Sequence, residues 1–209
     1  MVVITIGTAF GVRGAHIGSM LAQELSIPFI DRAVPRTVSR ELDIPIDDVL
    51  AQDNRAATGL WRLISAMAVV PDISGTEVLA HGTAVDERKF IETTERVMRD
   101  VATQSGGVFV GRAGAVVLRE FPGALHVRLT GERDARIQAF ATAKKISIRE
   151  ARETVEANDK ARLAYGKTFY RTNLADPALY DLVIDQTRFS EQATVAILRA
   201  AVNGRQAQR

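Results

Sequence analysis

Hydrophobic positions along the chain follow two alternating rhythms. Short apolar runs rich in β-branched residues recur as VVITI (2–6), IPFI (27–30), GVFVG (107–111), ALHVRL (124–129) and YDLVID (180–185). Runs of this length, set off by Gly, Pro or charged residues, predict five strands. Between them apolar residues fall at helical spacing. Ile17, Leu21 and Leu25, with Met20 beside them, form a stripe at i, i+4 and i+8. A helix is predicted over 86–105, where Phe90, Ile91, Val97, Met98 and Val101 alternate with charges. Others are predicted over 113–120, 132–145, 147–165 and 190–203. Strands alternating with helices in this way predict an α/β fold with a parallel sheet and crossover helices. In the fourth run His126 and Arg128 alternate with Leu125, Val127 and Leu129, which predicts a half-exposed strand, at an edge or under an interface.

Two regions break the alternation. Residues 32–85 contain no convincing strand and carry Pro35, Pro45, Pro71 and the sole tryptophan, Trp61. They predict helices and a loop laid over the sheet, with Trp61 as a core or interface anchor. Residues 132–176 hold ten Arg and Lys, from Arg133 to Arg171, between the fourth and fifth strands. Within them Arg133 and Arg136 read as a solvated helix face. The length of 209 residues suits one α/β domain rather than two.

Composition narrows the chemistry. The chain has 27 Lys+Arg against 25 Asp+Glu, a formal charge of +2, so bulk charge does not argue for nucleic-acid binding. SRELDIPIDDVL and AKKISIREARETV look superficially like helix-turn-helix segments, but the strand-rich remainder disfavours that class. With no cysteine, disulfides, zinc ribbons and thiol catalysis are excluded. His16, His81 and His126 are too scattered to form an imidazole metal site, so any metal is expected to be a hard cation held by carboxylates, phosphates and water. No apolar run approaches 18 residues and no leader pattern opens the chain. A cytoplasmic protein without membrane association is expected.

The stretch ITIGTAFGVRGAHIG, residues 4–18, concentrates the candidate chemistry. It places Gly7, Gly11, Gly14 and Gly18 between the first strand and the first helix. A loop at the carboxyl end of a parallel strand that opens a helix presents unpaired N–H groups and a positive helix end, which suit a phosphate. Neither GxGxxG nor GxxxxGK[ST] is present. The residues alone leave two readings, a phosphate loop or a structural turn. Arg13 could supply a bidentate cation and His16 could reach a phosphate or stay at the surface.

With the downstream segments GGVFVGRAGAVVL, ALHVRLTGERDARI, ISIREARETVEANDKAR and YDLVIDQTRFS, in that order, the opening resembles the cytidylate kinase-like family of the P-loop nucleoside monophosphate kinases. The resemblance spans essentially the whole chain. Laid along it, the P-loop lysine of cytidylate kinases falls on Gly14 and the following threonine on His16. The acid that follows the Gly-Arg of the monophosphate-binding region falls on Ala113. The cytidylate kinase-like branch itself commonly lacks the lysine.

The resemblance implies a three-layer P-loop-like fold with a five-stranded parallel sheet. It implies a core over about 1–31, 106–131 and 178–203, an acceptor-binding insertion over about 32–105 and a basic lid over about 132–177. The implied reaction is transfer of the γ-phosphoryl of ATP, with Mg²⁺, to a nucleoside monophosphate or related small acceptor. Arg13, Arg112, Arg162 and Asp159 are the implied catalytic residues, Asp159 and Arg162 falling on one helix face in NDKAR. Gly11, Val12, Arg13, Gly14, Ala15 and His16 are assigned to the nucleotide phosphates; Asp31, Arg36, Arg112 and Lys160 to the acceptor. Metal ligands are unassigned. The alternative is a nucleotide-binding or regulatory protein that keeps the fold without turnover. Homo-oligomerisation is left open.

Overall fold

The computed structural model describes residues 1–30 and 87–206. Its strands are β1 (Val3–Thr8), β2 (Phe29–Ile30), β3 (Gly107–Val110), β4 (Leu125–Thr130) and β5 (Leu182–Asp185). They make one parallel sheet in the order β2-β3-β1-β4-β5. The helices are α1 (Gly14–Leu25), α2 (Glu87–Gln104), α3 (Gly114–Val117), α4 (Arg133–Lys144), α5 (Ile148–Tyr170) and α6 (Glu191–Gln206). The five predicted strands and the helices around them are therefore present. Asp31, Arg36 and Trp61 lie outside the described residues, as does most of the expected 32–105 insertion; its α2 is described.

Alternation along β1 sends side chains to two separate cores, which is why a parallel strand must be apolar on both faces. Ile4 and Ile6 join Ile17 and Leu21 of α1 and Val195 and Leu198 of α6 on one face. Val3 joins Phe90, Val97 and Met98 of α2, Phe109 of β3 and Leu118 on the other. The sheet is thus the middle of three layers. A third cluster, Ile137, Ala141, Ala151 and Val155, holds α4 against α5. Ser147 begins α5 with a reciprocal capping box to Glu150, so the S-x-x-E signal works as its chemistry requires.

The structure corrects the reading of the fourth run. β4 lies inside the sheet, between β1 and β5. His126 is buried, sharing a 2.7 Å hydrogen bond between its Nδ1 and Thr5 Oγ1. Polar alternation here marks a second buried face that contains polar groups, rather than a solvated one. Burial pushes the His126 imidazole below its ordinary value, partly offset by Asp181.

Candidate phosphate-binding cleft

Because β1 lies between β3 and β4, the loops leaving their carboxyl ends surround one crevice. That crevice is a cavity of about 500 Å³. Its floor is Gly7 and Thr8 of β1 with Val12, Gly14 and Ala15 at the start of α1. Gly111–Ala115 form one wall; Arg128, Thr130, Arg136, Asp159 and Arg162 form much of the other. No side chain caps α1, and its first turn contains no acid, so the positive helix end at Gly14 and Ala15 is unshielded by a carboxylate of its own.

The β3–α3 connection is conformationally costly. Gly111, Arg112 and Ala113 follow one another with φ of 78°, 50° and 51°. Only the first is a glycine, and left-handed backbone disfavours a Cβ. The turn brings Arg112 to the cleft rim at the end of an inner strand. Such strain concentrates at ligand sites.

The opposite wall is a network of buried charge. Arg162 donates through Nη1 to Thr8 O at 2.6 Å and Thr8 Oγ1 at 3.0 Å, and its guanidinium lies 5.4 Å from the Phe10 ring centre. Burial lowers its affinity for the proton, and neighbouring Asp159 opposes that effect. Asp159 accepts from Phe10 N–H at 2.9 Å and from Arg136 at 2.8 Å. Arg136 also donates to Phe10 O and Gly131 O, at 2.6 and 3.0 Å. Asp159 and Arg162, adjacent on one face, therefore bond to different partners and both grip the β1–α1 loop. Arg136, expected on a solvated face, is 7% exposed; Arg133 does face solvent, paired with Glu156.

Arg128 and Tyr180 also line the cleft. Arg128 donates to Leu174 O at 2.9 Å and stands over the Tyr180 ring, whose hydroxyl donates to the same carbonyl at 2.7 Å. Burial raises the Tyr180 hydroxyl above its ordinary value, with Arg128 opposing.

The sequence-derived candidates divide. Val12, Gly14, Ala15, Arg112, Asp159 and Arg162 come together at this cleft. Arg13 and His16 instead turn to Glu191 of α6, at 2.8 and 3.3 Å. Gly11 lies outside the lining with φ of 89°, where an added Cβ would stand 3.2 Å from Arg136 O of α4; Lys160 is exposed on α5. Thr8, Arg128, Arg136 and Tyr180 were not singled out for the site. Arg136 belongs to the basic stretch 132–176 but reads there as solvated, and only tertiary packing shows that it is buried.

Comparisons with known proteins agree with this architecture. The family model described as the cytidylate kinase-like family matches residues 3–188. The chain belongs to that family. Among cytidylate kinase-like relatives, a cytidylate kinase from Methanopyrus kandleri is 31% identical over 52% of this chain and 61% of its own length. A second, from Methanothrix thermoacetophila, is 29% identical over 50% and 59%. The chain thus spans about 60% of the length of these curated relatives.

Solved structures share the fold. An uncharacterized protein from Eubacterium ventriosum superposes with a TM-score of 0.67 at 15% identity, covering 97% of this chain and 99% of its own. A shikimate kinase from Bacteroides thetaiotaomicron gives 0.55 at 15% identity, with 97% and 98% covered. The cytidylate kinase-like chain has the three-layer architecture of P-loop kinases. Among its described residues, no helix is long and apolar enough to cross a membrane.

Proposed function

We propose that the chain is a nucleotide kinase that transfers the γ-phosphoryl of ATP to a nucleoside monophosphate, CMP or a related small phosphorylated acceptor. The observation that carries this reading is the joint presence of Arg112, Arg128, Arg136 and Arg162 around a cleft floored by the start of α1. Among the described residues only one carboxylate, Asp159, lines it. Such a set favours a polyanion, and charge-assisted guanidinium bonds to phosphate contribute about 1.5–3 kcal/mol each.

In this reading the phosphate chain lies against the N–H groups of Gly14 and Ala15. Arg162 neutralises charge on the transferring phosphoryl in place of the lysine that Gly14 lacks, and Arg112 steadies the acceptor phosphate. Asp159 and Arg136 are positioning residues that hold the loop at Phe10. Asp31, Arg36 and Lys160 remain proposed acceptor contacts. The bond from γ-phosphorus to its bridging oxygen breaks as a P–O bond forms to an acceptor phosphate oxygen, and ADP leaves. Closure of α4 and α5 excludes water from that step.

The donor set fits Mg²⁺ only as an ion carried by the nucleotide. Mg²⁺ takes most of its ligands from phosphate and water. No group of three His, Asp or Glu side chains among the described residues could cage a metal, and both Asp159 oxygens are already engaged. When bound, the ion would neutralise phosphate charge, and Thr8, Thr130 and Asp159 are the cleft residues whose side-chain oxygens could meet its water shell.

Calorimetric titration with ATP, followed by an ADP-coupled assay over CMP and the other monophosphates, tests the reading. ATP binding with ADP formation dependent on one acceptor is expected, and Arg162→Gln should weaken ATP by about ten- to a hundredfold. Absence of binding by any nucleotide would overturn the proposal. A second reading, nucleotide binding without turnover, is favoured by Arg13 and His16, both lying against the Glu191 carboxylate rather than lining the cleft. Binding with no ADP from any acceptor would select it.

A further inference from the structure

Thr8 meets two elements at once, and its two branches do different things. Its hydroxyl and carbonyl both accept from one Nη1 of Arg162. Its γ-methyl occupies the space above Gly14: a Cβ built on residue 14 would stand 2.2 Å from Thr8 Cγ2 and 3.3 Å from Thr8 Cβ. The first distance is far inside van der Waals contact, and the second is tight but closer to tolerable. Gly14 has no left-handed backbone to explain its glycine. What requires glycine there is Thr8.

A threonine χ1 has three staggered wells, and its methyl and hydroxyl turn together. A side chain at position 14 would drive the methyl away and carry the hydroxyl off Arg162. The first residue of α1 and the cleft arginine of α5 are thereby coupled through one rotamer.

We propose that Thr8 is the positioning residue that seats Arg162 in the cleft, and that Gly14 is glycine so that Thr8 can keep this rotamer. The inference rests on the kinase reading only in taking Arg162 as the phosphate-facing cation; the seat itself is independent of any ligand. Arg162 is a long, flexible side chain on a helix 154 residues away from Thr8 in sequence. Holding its Nη1 on two oxygens of one residue removes rotamer freedom before a phosphate arrives, which favours binding by pre-organisation.

The test uses the full chain and two readouts. The first is the rate at which phenylglyoxal modifies Arg162, followed by peptide mass spectrometry without ligand. Thr8→Ser keeps the hydroxyl and should react like the parent; Thr8→Val keeps the bulk and the backbone carbonyl but loses the hydroxyl acceptor, and should react several-fold, up to about tenfold, faster. Gly14→Ala should also react faster, and Thr8→Ser in that background should restore slow labelling because it removes the methyl. Thermal melts identify any variant that fails to fold, and the Thr8→Ser and Thr8→Val pair then decides. Equal labelling of the Ser and Val variants would overturn the proposal.

The second readout is ATP affinity. Thr8→Val should weaken it about tenfold in the parent and not further in an Arg162→Gln background. Independent, additive losses would also overturn the inference. If the parent binds no ATP, the kinase reading fails, while the labelling still decides whether Thr8 seats Arg162.

Discussion

Arg136 is buried to 7% exposure and makes all its bonds inside the chain, to Gly131 O, Phe10 O and Asp159. Removing it leaves Asp159 and two carbonyls without that partner. Because Asp159 is 30% exposed, water can compensate in part, so Arg136→Met should destabilise by about 2 kcal/mol in a urea melt. Values near zero would show that the network contributes no net stability. His126 gives a pH-dependent case. Its pKa is lowered in the fold by burial, so the unfolded imidazole binds a proton first as pH falls. Its stabilising contribution is therefore complete above about pH 6.5 and is lost as pH falls through that value, levelling off below the folded pKa. Melts of the parent and His126→Asn between pH 7.5 and 5 should diverge in slope, with the parent losing more; parallel curves would remove His126 as the cause. Neither environment was legible in local sequence. A helix-period arginine and a strand-period histidine both read as solvent-facing until the neighbouring element is known.

The β3–α3 turn makes its prediction at the scale of elements. Ala113 has φ of 51° and precedes α3 directly. Relieving left-handed strain at an alanine should outweigh the greater freedom of glycine in the unfolded chain. Ala113→Gly is expected to raise stability by about 1 kcal/mol, seen as a higher denaturation midpoint at unchanged slope. A lower midpoint would mean that the turn is not strained. The helix boundaries themselves were readable where chemistry marks them. Ser147 and Glu150 announce the start of α5, yet its end at Tyr170 is five residues beyond the expected 165, since Arg171, not glycine, takes the left-handed cap. α3, expected over 113–120, is a single turn at Gly114–Val117.

Across the whole molecule, the β1–α1 loop and the α4–α5 pair behave as one unit. Phe10 packs edge-on against Phe140 of α4, at 5.1 Å between ring centres, and within the cluster that joins α4 to α5. Arg162 and Asp159 of α5 bond the same loop at Thr8 and Phe10. Phe10→Ala should therefore speed amide exchange in the loop and in α4–α5 together, while the β1, β3 and β4 amides stay protected. Its cost, for a partly buried ring, is expected near 2 kcal/mol. Exchange that rises in the loop alone would show the two parts to be independent.

Strand and helix periodicity determined the α/β class and the parallel sheet, and the glycine-rich exit from β1 marked a loop that lines the cleft. These properties are local: they follow from which faces of a strand or helix can meet water, and from which backbone can approach an anion. Tertiary structure alone decided which cations face the cleft. Arg13 is three residues from Phe10 yet turns outward to Glu191, whereas Arg136 and Arg162 come from far along the chain to grip the loop. Charge at a buried site is set by the groups that packing brings within a few ångströms, and chain distance carries no information about that.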